Sequence, residues 1–342
     1  MKSFNFNEDV ISTEVVVTDG FGDGGVGIIN GSDLATASLS DTQKNYYYNL
    51  QFNSKDHFSV AYGHIGGSGS SNQSTTQEGE TQAVYKQFFN ILEPNRQNLK
   101  ASSTSGFIIN EATASDAYFI VAERLQMKDR LNPGTWTLTL SGSSTGGTGF
   151  SIPLTDNSKT VDASAAPFGV RYDIVSGSAG VQVGTKKFGF FYPDAGILVL
   201  GADALSGSLP GTSGFIQSGS ATLHDNGFAP DLRVTSDADN AHKIAQGLKL
   251  GSFTLRSEEN QYIYDYFCRA KVNEFNYSEN MTFWSGSQYD IRHSDMQNNP
   301  QVYITEVGLY DDVGDLMAIG RLSGALEKNF SSEAIVKVRL TY

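Results

Sequence analysis

Apolar and polar residues alternate with a period of two over much of this chain, the pattern of strands that bury one face. The last strand shows it most cleanly. Ala334, Val336, Val338, Leu340 and Tyr342 point one way, and Ile335, Lys337, Arg339 and Thr341 point the other. Upstream, residues 302–310 are rich in β-branched and aromatic side chains, and residues 316–322 return as a second strand. Between them, Asp311, Asp312, Val313, Gly314 and Asp315 supply turn chemistry, because Asp tolerates left-handed backbone and Gly permits positive φ. The pattern predicts a three-stranded antiparallel unit over residues 301–342 with one buried face, its C-terminus tied into a strand.

The same alternation recurs along the chain. It predicts strands at residues 13–18, a hairpin of 46–52 with 58–62, and strands at 118–122 and 172–175. A turn at Asn132, Pro133 and Gly134 leads into Trp136, Leu138 and Leu140. A hairpin of 187–191 with 197–200 and strands at 251–256 and 262–272 follow. One stretch changes period: Val84, Tyr85, Phe88, Ile91 and Leu92 form the stripe of an amphipathic helix over 81–92, stopped by Pro94. Residues 239–248 read as a short helix. Residues 66–74 and 206–220 read as loops of small residues, and 141–168, with Pro153 and Pro167, as a loop excursion or weak hairpin. Strands in hairpins predict a mostly β (α+β) chain of antiparallel, sandwich-like sheets with one clear helix and a few short ones, not a doubly wound fold. The expected division is an N-terminal β-rich part (1–142), a middle β-rich part (143–300) and the C-terminal unit, or one continuous domain.

Composition narrows the function classes. Among 342 residues, 24 basic and 37 acidic side chains give a formal charge of −13, which argues against nucleic-acid binding, a task for clustered Lys and Arg. No window is apolar enough for a membrane span, and the start, MKSFNFNEDV, lacks the apolar core of a secretory leader. The single cysteine, Cys268, excludes an intrachain disulfide framework and reads as a small core residue. Two catalytic strings occur out of context. Gly20, Gly22 and Gly25 match a dinucleotide-binding glycine loop, but a strand-like segment rather than a helix follows. Residues 142–146 match a nucleophile elbow but continue into a Ser/Gly loop. Asp19 and Asp23 lack the ligand spacing of a calcium loop. His57, His64, His224, His242 and His293 have no metal-binding spacing, and His64, at a strand end, reads as structural. Asp237 and Asp239 read as helix caps. No catalytic residue, cofactor or metal is expected, and hence no enzyme.

Several segments resemble virion structural proteins of T-even-like, contractile-tailed bacteriophages of the cyanophage type. They are FSVAYGHIGGSGS (58–70), TQAVYKQFFNILEP (81–94), ERLQMKDRLNPGTWTLTLSG (123–142), FFYPDAGILVLGADAL (190–205) and VYITEVGLYDDVGDLMAIGRLSGALEK (302–328). The stretch ITEVGLYDDVGDLMAIG is also similar to a hairpin near the attachment domains of phage tail-fibre and baseplate proteins. The resemblance implies a non-enzymatic tail subunit, at the baseplate or its periphery. Such a subunit is made in the host cytoplasm, present in several copies per virion, and held by contacts to other tail proteins. Tyr310, Asp311, Asp312 and Asp315 are the candidate interface, facing a basic neighbour. The alternatives are a neck or collar component, a receptor- or glycan-binding module using Trp136, Trp284 and the tyrosines as platforms, and a cell-wall hydrolase.

Overall fold

The computed structural model describes residues 3–21, 28–36, 47–67, 79–93, 106–143, 149–206, 239–288 and 290–342. The expectations for Pro94 and for the loops at 68–74 and 207–220 lie outside them, as do those for Gly22, Gly25 and Asp237. The strands are β1 (Val10–Gly20), β2 (Ile28–Asn30), β3 (Ala35–Thr36), β4 (Tyr48–Phe52), β5 (Lys55–His64), β6 (Asp116–Ala122), β7 (Thr137–Ser143) and β8 (Gly149–Asp156). They continue with β9 (Gly169–Ser178), β10 (Val181–Tyr192), β11 (Ile197–Gly201), β12 (Ser252–Thr254), β13 (Arg256–Ala270), β14 (Val302–Tyr310), β15 (Leu316–Lys328) and β16 (Ala334–Thr341). The helices are α1 (Phe6–Asp9), α2 (Glu80–Leu92), α3 (Ala202–Ser206) and α4 (Asp239–Lys249). The chain is mostly β, with antiparallel sheets and few helices. It divides into two compact units: Val17–Glu259, and Met1–Val16 together with Asn260–Tyr342.

The first unit is built on one long sheet of order β2-β12-β7-β8-β9-β10-β11-β6-β5-β4-β3. Its two end strands are consecutive in sequence, joined by the one-turn 3-10 helix Gly31–Asp33, so the sheet curls into a nearly closed barrel. The β4–β5 hairpin turns at Asn53 and Ser54, both at positive φ. Alternation sorts the side chains onto two cores. Phe58, Val60 and Tyr62 of β5, Tyr118 and Ile120 of β6, Leu138 and Leu140 of β7, and Leu198 and Leu200 of β11 share one core with Ile244 and Leu248 of α4. Ala61, Phe119, Phe190, Tyr192 and Val199 point the other way and pack with Tyr85, Phe89 and Leu92 of α2. β6 is therefore apolar at nearly every position, as a strand covered on both faces must be.

Helix α2 meets the sheet at Gly63, where a Cβ would stand 2.8 Å from the backbone of Tyr85. That contact sets the helix face. Tyr85, Phe89 and Leu92 are buried, whereas Ile91, expected in the stripe, is 42% exposed. Residues 149–156, expected as a loop excursion or weak hairpin, form β8 within the sheet. Pro153 is tolerated there because it pairs with Thr139 of β7, and pairing with β9 begins only at Leu154.

In the second unit β13 lies between β1 and β16. The last strand pairs with β13, from Ile263 opposite Thr341 to Ala270 opposite Ala334. β14 and β15 form a separate two-stranded sheet. The expected three-stranded sheet over 301–342 is thus replaced by a hairpin followed by a strand that joins a distant partner. Charge fixes that register: Arg339 donates two hydrogen bonds to Asp265 opposite it (2.8 and 3.0 Å), and Lys337 lies 2.7 Å from the same carboxylate. The hydrogen bond from Arg339, then that from Lys337, hold the Asp265 carboxyl far below the usual carboxylate range. The turn that frees β16 is built on Asn329, whose Oδ1 accepts from the Ser331 amide (3.0 Å). No described helix is long and apolar enough to cross a membrane.

Candidate functional site

The hairpin β14–β15 brings all the expected interface residues together at its tip. Asp311 builds the turn with one oxygen: its Oδ1 accepts from the Val313 amide (3.0 Å) and the Asp315 amide (2.7 Å). Its backbone closes the loop to Asp315 (3.0 Å), with Gly314 at φ 97°. All three aspartates remain exposed beside Tyr310, with one oxygen of Asp311 held by the turn.

What the sequence did not show is the apolar surface next to these acids. Pairing places Tyr310 opposite Leu316, and Gly308 opposite Ile319, on one face of the hairpin; the register shift at Leu309/Tyr310 turns Met317 outward as well. Tyr310 is 47% exposed, Leu316 47%, Ile319 54% and Met317 70%. Lone exposed apolar residues are ordinary, but a contiguous group rimmed by charge marks an interaction surface. The opposite face carries Leu309, which is buried, and Gly320, where a Cβ would lie 3.5 Å from Val338 of β16.

The other residues singled out for chemistry sit elsewhere. His64 ends β5 opposite Asp116. Its Nδ1 accepts from the Gly66 amide (3.0 Å), which places the ring proton on Nε2. Burial lowers its pKa and Asp203 opposes that shift. Ser115 lies within 3.3 Å of a carboxylate oxygen of both Asp116 and Asp203, and Tyr62 donates to Asp116 (3.2 Å). Burial, then Asp116, pushes the Tyr62 hydroxyl well up. These bonds tie the ends of β5, β6 and α3 together. His57 is buried, its Nδ1–H directed at the Lys55 carbonyl (2.9 Å). Trp136 is fully buried against Phe191 and Phe253 and so is no surface platform. Trp284 donates to the Ser278 carbonyl (2.7 Å) and packs against Tyr277 and Phe283. Cys268 is half-buried, and burial raises its thiol pKa. Of the nucleophile-elbow string, Gly142 and Ser143 lie on β7, and residues 144–146 fall outside the described residues. Among the described residues no three His, Cys, Asp or Glu side chains converge as a metal site. No protein-family model matches the chain, and no curated protein or solved structure matches it.

Proposed function

We propose that this chain is a non-enzymatic structural subunit of a bacteriophage contractile tail, built into the baseplate or its periphery and acting through protein–protein contacts. The observation that carries the reading is the outer face of the β14–β15 hairpin, where Tyr310, Leu316, Met317 and Ile319 are exposed beside Asp312 and Asp315. The resemblance of residues 302–328 to phage tail proteins falls on this same hairpin. A flat aromatic and aliphatic patch with an acidic rim fits a neighbouring subunit whose apolar surface is rimmed by Lys or Arg.

The test is incorporation. In a phage carrying Tyr310→Ser together with Met317→Ser, the protein should be lost from purified tails by mass spectrometry. Truncating anchors of this kind costs about 2 kcal/mol or more per contact. Because both side chains are exposed, the melting temperature of the isolated protein should not move. Tails that retain the double variant at the normal copy number would overturn the hairpin as the contact. Tails that lack the wild-type protein would overturn the assignment itself.

A further inference from the structure

A second surface, in the Val17–Glu259 unit, has the construction of a ligand site. The short hairpin pairing Ile108–Ile109 with Ala112–Thr113 turns at Asn110 (φ 51°) and Glu111 (φ 64°) beside Lys187 of β10. Below it opens a groove of about 520 Å³ lined by Asn110, Glu111, Arg171, Asp173, Lys187 and Phe190, among others. That volume falls within the range of small-molecule sites, about 300–1,000 Å³.

Three features show that the groove is held in shape. Asn110 uses both ends of its amide on one residue: Nδ2 donates to the Lys187 carbonyl (2.6 Å) and Oδ1 accepts from the Lys187 amide (3.0 Å). Lys187 precedes a register shift in the β9–β10 ladder, the kind of bulge that re-aims a side chain. The Arg171 guanidinium lies 4.4 Å from the centre of the Phe190 ring and is paired with Glu93, which also accepts from Tyr192 (2.8 Å).

The second turn position is the telling one. Turns with two left-handed residues favour Asn followed by Gly, and a Glu there costs about 1 kcal/mol. Glu111 accepts that strain and places a carboxylate at the groove. Strained backbone of this sort persists where a side chain is needed in place.

Charge selects the ligand class. The two cations of the lining, Arg171 and Lys187, are matched by the two carboxylates Glu111 and Asp173. Both cations are already engaged, Arg171 with Glu93 and Lys187 with Asp173 at 2.7 Å. A phosphate or carboxylate would face the Glu111 and Asp173 carboxylates with no unneutralised cation to offset the repulsion. A neutral polyol meets no such repulsion: its hydroxyls donate to Glu111 and Asp173 and accept from Lys187, forming charge-assisted hydrogen bonds at both ends. We propose that this groove binds a neutral oligosaccharide, a hexose or N-acetylhexosamine chain lying across β9 and β10.

The intact protein is to be titrated with neutral hexose and N-acetylhexosamine trisaccharides, with binding read by saturation-transfer NMR. At least one should give saturation transfer at millimolar concentration, and glucose 6-phosphate should not compete. Glu111→Gly removes the carboxylate and relieves the turn, so the fold should be as stable as wild type or more so while binding weakens at least tenfold. Asp173→Asn should weaken binding similarly. Absence of transfer from every trisaccharide would overturn the proposal. Unchanged binding in both variants would place the sugar elsewhere, and preference for the phosphate would overturn the neutral class. None of these results bears on the hairpin of β14 and β15, which is tested separately.

Discussion

Lys328 closes the base of the β14–β15 hairpin, and its side chain is completely buried. Its Nζ donates to the Val272 carbonyl (3.1 Å), Asn276 Oδ1 (2.5 Å) and the Asn329 carbonyl (2.8 Å). An ammonium has three protons to give, so these acceptors exhaust it. All three are neutral dipoles, and they hold the loop after β13 against the end of β15. Lys328→Met keeps the apolar stem and removes the donor. Val272 O then retains a bond from Asn276 Nδ2 (2.7 Å) and Asn329 O one from the Ser332 amide (3.3 Å), while Asn276 Oδ1 loses its ammonium partner. A buried acceptor left unmade costs about 1–3 kcal/mol. Relief from burying the ammonium returns part of this. The expected net loss is about 1–2 kcal/mol. Hydrogen exchange reads it locally: amides of residues 272–276 and 329–332 should lose protection by roughly 5- to 30-fold, at about 1.4 kcal/mol per tenfold. Protection unchanged in those two segments would refute the account of Lys328 as the clamp.

Two further perturbations test the packing. The Tyr85 hydroxyl donates to the Ala114 carbonyl (2.7 Å) and accepts from the Phe107 amide (3.0 Å), and burial raises its pKa. Tyr85→Phe should therefore cost about 2–4 kcal/mol in denaturant unfolding, from two backbone groups left unpaired, and a loss below about 0.5 kcal/mol would count against it. The Asp265 cluster predicts a pH dependence. Because its folded pKa is depressed, its contribution is present above the ordinary carboxylate pKa of about 4 and is lost as pH falls below it. Asp265→Asn should lower the melting temperature at neutral pH and narrow the gap to wild type as pH drops from about 4 to 2. Melting curves that stay parallel across that interval would sink the assignment.

What the sequence discloses and what it hides follow from the range of the interactions concerned. Hairpins were legible because turn and alternation are local: residues 48–64, 187–201 and 302–328 pair as their patterns require. Helix α2 was legible as an element but not in its rotation. Its apolar residues at 84, 85, 88, 89, 91 and 92 offer more than one possible face, and the choice fell to Gly63 on a strand some twenty residues earlier. β8 was hidden by Pro153, since whether a proline is tolerated depends on which neighbour pairs at that point. The partner of β16 was hidden for a related reason: Asp265 and Arg339 are separated by 74 positions, and no local rule reaches that far.

The candidate site divides along the same line. The acidic turn was readable from Asp and Gly alone. The apolar patch beside it was not, because alternation says which residues share a face and is silent on whether that face is covered. In the hairpin, β16 lies near the inner face at Gly320, and the outer face is left to solvent. The outer side is nonetheless ordered by its own sequence. At Gly308 a Cβ would stand 2.9 Å from the Tyr310 ring and 3.2 Å from Leu316 Cδ1, so these two side chains lie down across the strand where the glycine leaves room. An aromatic ring and a leucine laid flat in this way, with Ile319 across the strand pair, give a partner a preformed surface and lower the side-chain entropy that binding would otherwise cost.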